Sequence, residues 1–175
     1  MRIGAGDLRG RSIQVPATTT VRPMADKVKA ALFNIVGSVG GQIVLDAYAG
    51  SGAVGLEALS RGAAQVVFVE RSAPVAALIK RNIASLGVSS EAQVINLPVQ
   101  TWLNRQSQPI FNLIVADPPY AELDVAILDQ LADCLASDGI MVVSHSSKIA
   151  SSELKSLELV QSKTYGDTAL SFYKK

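Results

Sequence analysis

The sequence predicts an open, doubly wound α/β sheet. From residue 42 onward, short runs that are apolar at every position alternate with stretches of helical periodicity. Runs of the first kind are typical of parallel strands buried on both faces, and their alternation with helices favours right-handed crossovers. Two last apolar runs, 157–164 and 169–173, are joined across Gly166-Asp167 and predict an antiparallel hairpin at one edge of the sheet.

The N-terminal part precedes this alternation. Short extended pieces at 2–5 and 12–15, with Gly10 in the turn region, predict a small hairpin. Apolar residues from Val28 to Val36 then recur at helical spacing and predict an amphipathic helix. We therefore expect an N-terminal basic hairpin extension, residues 1–23, and one further domain, residues 24–175.

The remaining elements follow in regular order. Gly62 and Gly87 stand where helix C-terminal caps belong. Cys134 falls on the apolar face of the last predicted helix, where a small core residue is more usual than a nucleophile. The predicted strands are 43–45, 66–69, 94–95, 113–115 and 140–143, and the predicted helices are 53–61, 73–86, a short one near Trp102, and 123–136.

Composition limits the class of protein. With 175 residues, 49% of them hydrophobic and 18% charged, the chain predicts a single packed domain and not a disordered one. One cysteine and one histidine, Cys134 and His145, give neither a disulfide nor a zinc cluster, so we expect no metal. No apolar run approaches the length of a membrane span, and a reducing cytoplasm is the expected compartment.

Basic charge is concentrated at the front of the chain. The net charge is only +1, but residues 1–29 carry six lysines and arginines against two aspartates. Charge alone fits a solvated arm as well as an arm that contacts phosphates. The motifs of the predicted sheet therefore have to decide between these two interpretations.

The loop after the first predicted strand has the features of a cofactor site. Asp46 ends the strand, and Gly50 and Gly52 lead directly into a helix. Glycines allow a ligand close to the backbone, and a helix N-terminus offers unpaired N–H groups. Glu70 ends the next strand, where a carboxylate can accept both ribose hydroxyls. A nucleoside cofactor is implied.

Two nucleoside cofactors compete for this pattern. Gly50, Gly52 and Gly55 with Glu70 also satisfy the dinucleotide fingerprint. Asp46 separates the alternatives, because a carboxylate there repels a pyrophosphate and attracts an ammonium group. S-adenosylmethionine carries that ammonium, and glycines that merely form a tight turn explain neither carboxylate.

The fourth strand ends in the most specific local signal, Asp117-Pro118-Pro119-Tyr120. Two prolines fix the backbone and remove two N–H donors, which leaves carbonyls and the Asp117 carboxylate as a rigid set of acceptors. Such a set suits an exocyclic NH₂ group, which it can aim at an electrophilic methyl. Tyr120 can stack on the face of the base.

Together these segments resemble a known family. The matching blocks are Val21-Arg22-Pro23, 26–34, Leu45-Asp46 through the glycine loop to Ala63, Asp117 to Tyr120, and 165–168. They are similar to the 16S ribosomal RNA (guanine-966-N2) methyltransferases over nearly the whole chain. The resemblance implies a Rossmann-like, seven-stranded class I methyltransferase sheet with a small N-terminal β-hairpin extension, S-adenosylmethionine as cofactor, and rRNA of the assembling small subunit as substrate.

The resemblance also assigns roles residue by residue. Asp117, Pro118 and Tyr120 are the expected catalytic residues, with Arg9, Arg11, Arg22 and Pro119 toward the RNA. The family usually places an aspartate after the third strand, where this sequence has Pro98, so the adenine contact is expected from Asn96 or the Val99 backbone. The expected cofactor-binding residues are Asp46, Ala49, Gly50, Gly52, Glu70, Asn96 and Val99.

Two other functions fit parts of the sequence. Asp-Pro-Pro-Tyr also occurs in DNA adenine-N6 methyltransferases, but these are expected to carry an added DNA-recognition domain for which 175 residues leave little room. A nucleotide-binding module without catalysis does not explain Asp117 to Tyr120. We therefore expect a monomeric enzyme that methylates guanine N2 of 16S rRNA.

Overall fold

A computed structural model describes residues 1–16, 24–105 and 110–175. Within them, the strands are β1 Ile43–Asp46, β2 Gln65–Val69, β3 Ala92–Ile95, β4 Phe111–Ala116, β5 Leu135–Ser146, β6 Glu158–Tyr165 and β7 Thr168–Lys174. These seven strands form one sheet in the order β3-β2-β1-β4-β5-β7-β6. Strands β1 to β5 run parallel, and β7 is antiparallel to both β5 and β6. The predicted seven-stranded α/β fold with its antiparallel edge hairpin is confirmed.

Helices cover both faces of the sheet. They are α1 Asp26–Val36, α2 Ala53–Ser60, α3 Ala73–Leu86, α4 Val99–Leu103 and α5 Val125–Asp133, with a 3-10 helix at Tyr120–Glu122. One apolar layer packs α1, α2 and α3 against β1, β2 and β4, and the other packs α4 and α5 against the opposite face. Strand β4 is typical, because Leu113 and Val115 face the first layer while Ile114 and Ala116 face the second.

The first 16 residues, which we call the arm, lie on the first layer. Arg2 and Ser12 form a single antiparallel bridge, and Ile3 and Ile13 are buried in the core beside α1 and α2. The Gly4 N–H donates to a Glu57 carboxylate oxygen at 2.8 Å. The arm is therefore packed on the domain as a hairpin with one bridge.

Glu57 on α2 is the centre of a buried charge cluster. Its carboxylate accepts from Arg61 Nε at 3.1 Å and lies 3.4 Å from Lys29 Nζ, and only 1% of Glu57 is exposed. Lys29 comes from α1, and Arg61 also stacks over the ring of Phe33 at 4.7 Å. Since a buried charge is costly without partners, the cluster ties α1, α2 and the arm together.

The predicted boundaries around Cys134 are wrong, because the last helix begins only at Val125 and the strand expected over 140–143 begins at Leu135. The helix expected over 123–136 ends at Asp133, so Cys134 is its C-terminal cap and Leu135 already belongs to β5. The reason is a backbone bond, because the Phe111 N–H of β4 donates to the Cys134 carbonyl at 2.8 Å. The Cys134 carbonyl is therefore hydrogen-bonded to the sheet at the point where the helix ends. Cys134 itself is a buried core residue.

Candidate active site

The predicted cofactor and catalytic residues meet at one edge of the sheet. Asp46, Glu70, Asn96 and Asp117 follow or end the parallel strands β1, β2, β3 and β4. The carboxyl ends of parallel strands share an edge, where open α/β sheets bind their ligands. We call this the carboxyl edge.

The loop after β1 is held by the two carboxylates that flank it. The Gly50 N–H donates to Glu70 Oε2 at 2.9 Å, and the Gly55 N–H donates to Asp46 Oδ2 at 2.9 Å. The Ala49 N–H donates to the Val69 carbonyl at 3.0 Å. The loop is therefore fastened to both neighbouring strand ends through its backbone amides.

One glycine of this loop, Gly52, and one of the helix that follows it, Gly55, are required by the backbone and by packing. Gly52 has φ +75°, and a Cβ there would lie 3.2 Å from Ile79 of α3. At Gly55 a Cβ would lie 2.2 Å from the Phe68 ring, so only glycine lets α2 approach β2 this closely. Gly52 is thus required by the turn of the loop, and Gly55 by the close packing of α2 on β2.

Asp46 is a buried carboxyl group close to other acids. Its exposure is 2%, and burial raises its pKa to about 8, an effect that the Gly55 N–H opposes and that Asp117 and Glu70 increase. A carboxyl group in this position gains from a nearby cation. The ammonium group expected from the sequence would be such a cation, and its contact with Asp46 stays a prediction.

Glu70 and Asn96 organise the end of β2. Glu70 accepts from the Gly50 N–H and, through Oε1, from the Ser72 N–H at 2.7 Å. The Asn96 side-chain amide donates to the carbonyls of Glu70 and Arg71 at 2.8 and 3.0 Å. Asn96 thus fixes the turn that presents Glu70, while Val99, with a buried side chain, is the first residue of α4.

The segment after β4 has a rigid backbone with open acceptors. The Pro119 carbonyl accepts from the Glu122 N–H at 2.7 Å, whereas no backbone N–H of the described residues binds the Pro118 carbonyl. Burial raises the pKa of Asp117, and a hydrogen bond with Ser144 opposes this rise. Asp117 is therefore a more basic acceptor than an exposed aspartate.

Two side-chain contacts tie the last residues of this segment to neighbouring parts of the sheet edge. The Tyr120 hydroxyl lies 2.7 Å from Thr168 Oγ1 at the start of β7. Glu122 accepts two hydrogen bonds from the Arg71 guanidinium, at 2.7 and 3.0 Å. The segment thus spans the carboxyl edge from β7 to β2.

Several of these residues were not singled out from the sequence. Arg71, Glu122 and Ser144 carry no local motif, and Thr168 appeared only within the block 165–168. A base directly after Glu70 and an acid two residues after Tyr120 were the available signals for the ion pair. Tyr48 lies near that pair, and burial together with Asp124 and Glu122 raises its pKa to about 12.

The arm lies away from this edge. Helix α2 runs antiparallel to the strands, so Ser60 at its end marks the amino edge of the sheet, and the Leu8 N–H donates to Ser60 Oγ at 3.0 Å. Arg11 reaches the Ser85 carbonyl near the end of α3 at 2.7 Å, and Arg9 is exposed in the same turn. The structure does not bring Arg9 and Arg11 to the catalytic residues, and Arg22 lies outside the described residues.

Comparison with known proteins identifies the family. The model of the family described as Conserved hypothetical protein 95 matches residues 1–174. The chain belongs to this family. A Bacillus subtilis protein named as an rRNA methyltransferase, YlbH, is 36% identical over 100% of this chain and 99% of its own length.

Two further relatives carry the name Ribosomal RNA small subunit methyltransferase D. The one from Haemophilus influenzae is 42% identical over 69% of this chain and 64% of its own length. The one from Escherichia coli is 36% identical over 79% of this chain and 68% of its own length. The resemblance drawn from the sequence is confirmed at the level of the family.

Solved structures agree on the fold. The Escherichia coli protein yhhF, named as a methyltransferase, superimposes with a TM-score of 0.90 at 31% identity, over 100% of this chain and 97% of its own. A Streptococcus mutans protein complexed with SAH, SMU.776, has a TM-score of 0.70 at 16% identity, over 85% of this chain and 48% of its own, and shows the fold alone. S-adenosylmethionine as the cofactor of the family is confirmed.

Among the described residues, no helix is both long and apolar enough to cross a bilayer. The same part of the chain holds no group of three or more histidine, cysteine or acidic side chains placed for a metal ion.

Proposed function

We propose that this protein transfers a methyl group from S-adenosylmethionine to the exocyclic N2 of a guanine in 16S rRNA of the small ribosomal subunit. The observation that carries the proposal is the pair of acceptors, Asp117 and the Pro118 carbonyl, on the same edge as Asp46 and Glu70. Relatives named for small-subunit rRNA methylation support the substrate class.

The residues of the carboxyl edge fit the cofactor. The buried Asp46 suits its ammonium group, and Glu70, which ends β2, suits its ribose hydroxyls. Ala49, Gly50 and Gly52 form the loop between these two carboxylates, with Asn96 and Val99 on the side toward β3. When bound, S-adenosylmethionine supplies an electrophilic methyl on a sulfonium.

Asp117 and Pro118 would orient the amine. An NH₂ group that donates both hydrogens, one to the Asp117 carboxylate and one to the Pro118 carbonyl, has its lone pair turned out of the plane of the base. The raised pKa of Asp117 strengthens its acceptance of that hydrogen. The two residues would thus align the nitrogen for attack on the methyl. As the N–CH₃ bond forms and the S–CH₃ bond breaks, the proton that N2 loses would pass to the Asp117 carboxylate.

Tyr120 and Pro119 would receive the base itself. Tyr120 is 40% exposed, and its hydroxyl bond to Thr168 fixes where the ring lies. A guanine turned out of its RNA surroundings can stack on such a ring. Pro119 is exposed beside it and completes an apolar surface for the nucleotide.

Arg9, Arg11 and Arg22 would contact RNA phosphates. Because Arg9 and Arg11 lie at the amino edge, they cannot touch the nucleotide that is methylated and would bind RNA that continues past the site. We expect Arg9→Ala/Arg11→Ala to lower the log–log salt slope of RNA binding by about one to two, at unchanged cofactor affinity.

The test is methylation of defined nucleic acids with labelled S-adenosylmethionine. Small subunits from cells lacking this protein, deproteinised 16S rRNA, and duplex DNA with adenines in varied contexts are compared, and the modified nucleoside is mapped by mass spectrometry. N2-methylguanosine in the RNA supports the proposal. N6-methyladenine in the DNA, or no transfer to any of the three, contradicts it.

A further inference from the structure

Helix α3 connects the cofactor site with the arm. It begins at Ala73, three residues after Glu70, and its last turn contains Ser85, whose carbonyl accepts from the Arg11 guanidinium. Fourteen residues at 1.5 Å each give a length of about 20 Å. The outer surface of α3 therefore runs from the carboxyl edge to the amino edge.

The exposed residues of α3 are either basic or small. Lys80 and Arg81 are its charged residues, and the helix contains no aspartate or glutamate. Arg81 is four residues before Ser85 and shares a helix face with it. Because Arg11 donates to the Ser85 carbonyl, it continues the strip of basic residues that Lys80 and Arg81 begin on the outer surface of α3. The other exposed positions are Ala73, Pro74, Ala77, Ala84 and Ser85, which leave the strip open to a close partner.

The position of the arm on this strip is fixed by more than one contact. Gln14 and Asn82 exchange two hydrogen bonds of 2.9 Å, between the Gln14 backbone and the Asn82 side-chain amide. Asn82 is 2% exposed, so this contact lies below the surface. Four exposed basic residues, two from the arm and two from α3, therefore lie on the side of the domain that carries the arm. We call them the arm–α3 face: Arg9, Arg11, Lys80 and Arg81.

The helix on the opposite face of the sheet has the opposite charge. Helix α5 carries Asp129 and Asp133 and is capped by Asp124, and it has no lysine or arginine. With a net charge of +1, the whole chain does not attract a polyanion strongly, so the distribution between the two faces decides how it approaches.

We propose that the RNA strand leaving the target nucleotide lies along the arm–α3 face, with its phosphates on Lys80, Arg81, Arg11 and Arg9. The inference rests on the proposed function and adds the direction of the RNA across the protein. Phosphate contacts of this kind fix register, while the base is selected at the carboxyl edge.

The experiment measures the binding of deproteinised 16S rRNA and of small subunits at several salt concentrations. The variant is Lys80→Ala/Arg81→Ala. The matched control, Lys155→Ala/Lys163→Ala, removes the same charge from exposed residues elsewhere. We expect the α3 variant to bind deproteinised 16S rRNA and small subunits several-fold more weakly, with a log–log salt slope lower by about one to two. The control should bind both as the wild type does.

Three outcomes would overturn the inference. In the first, the α3 variant keeps the wild-type affinity and salt slope, and in the second, the control loses as much RNA affinity as the variant. In the third, affinity is lost for small subunits and not for deproteinised RNA, which would make the partner a protein. Affinity for S-adenosylhomocysteine and the melting temperature check that the variants are folded. If the wild type transfers no methyl to RNA, the proposed function fails, and the binding comparison still scores this inference separately.

Discussion

The loop after β1 and the segment after β4 lie next to each other at the carboxyl edge but are held in different ways. The first is fastened through backbone amides, because the N–H of Gly50 in the loop and that of Gly55 in the following helix bind the Glu70 and Asp46 carboxylates. The second has two prolines in place of donors and is tied by side chains, Tyr120 to Thr168 and Glu122 to Arg71.

This difference matches what each half is proposed to bind. A cofactor with many polar groups suits a loop whose shape is preformed before binding. An amine with two hydrogens suits a segment that keeps its acceptors open, such as the Asp117 carboxylate and the Pro118 carbonyl. The two halves can therefore be separated by mutation, one through cofactor affinity and the other through the rate of transfer.

The largest effect is expected at Asp117. Because its proposed contact to the amine would be strongest in the transition state, Asp117→Ala should lower the single-turnover rate by about 100- to 1000-fold. Affinity for S-adenosylhomocysteine, measured by calorimetry, should stay close to that of the wild type. A variant that transfers methyl at nearly the wild-type rate would remove Asp117 from the mechanism.

Glu70 should show the reverse pattern. Glu70→Gln or Glu70→Ala removes a charge that accepts from the Gly50 N–H and is proposed to bind the ribose hydroxyls, so cofactor binding should weaken by about 1 to 3 kcal/mol. Glu91→Gln, at the opposite end of the adjoining strand, is the control. NADH should not displace S-adenosylhomocysteine, and strong competition by NADH would contradict the assigned cofactor.

Asp46 should link cofactor affinity to stability. Its pKa is raised from 3.8 to about 8 in the folded protein, so the native state keeps a proton that the unfolded chain loses. The contribution of Asp46 to the free energy of unfolding therefore falls as the pH rises from about 4 to about 8. Asp46→Asn should remove that dependence and stabilise the ligand-free protein most at pH 8, as urea titrations at pH 5 and pH 8 would show.

The same substitution should cost affinity where an ammonium is bound. We expect Asp46→Asn to weaken the binding of S-adenosylhomocysteine roughly tenfold, because one charged contact is lost. Methylthioadenosine, which lacks the amino-acid part, should bind equally well to variant and wild type. An equal loss for both ligands would show that Asp46 acts only through the Gly55 N–H.

The bond between Tyr120 and Thr168 should have a smaller effect. Tyr120→Phe and Thr168→Val each remove one side of the same 2.7 Å contact, so each should lower transfer several-fold, and the double variant should lose no more than either single one. Losses that add would indicate two independent roles. Thr168→Ser keeps the hydroxyl and is the control.

The ion pair between Arg71 and Glu122 should have the smallest effect. Both side chains are about half exposed, at 59% and 49%, and exposed pairs contribute only about 0.2 to 1 kcal/mol. Glu122→Gln should therefore change the release of S-adenosylhomocysteine by no more than about fivefold, measured by stopped flow. A larger change would mean that the pair controls access to the cofactor.

The positions of the main site residues were predictable because they follow from one rule. Asp46, Glu70 and Asp117 end apolar runs, and parallel strands bring their carboxyl ends together whatever the intervening helices contain. The side-chain ties were not predictable in this way. Arg71 and Glu122 are 51 residues apart and Tyr120 and Thr168 are 48 apart, and their contacts depend on where side chains point after folding.

The arm shows the same limit. Its charge and its hairpin were visible in the sequence, but its place was not, because this depends on packing against the ends of α2 and α3. The end of α5 was missed for a related reason, since the bond from Phe111 to the Cys134 carbonyl joins residues distant in sequence. Local patterns predicted the elements, and contacts between distant segments decided these details.

The contacts of the arm also order events during synthesis. Gly4 finds its partner Glu57 53 residues later, and Arg11 finds Ser85 74 residues later. The arm, which is made before α2 and α3, must therefore wait until both helices have left the ribosome before it can pack on them. Because contacts so distant in sequence form slowly, docking of the arm should be a late step in folding and a sensitive point for a slowed or interrupted chain.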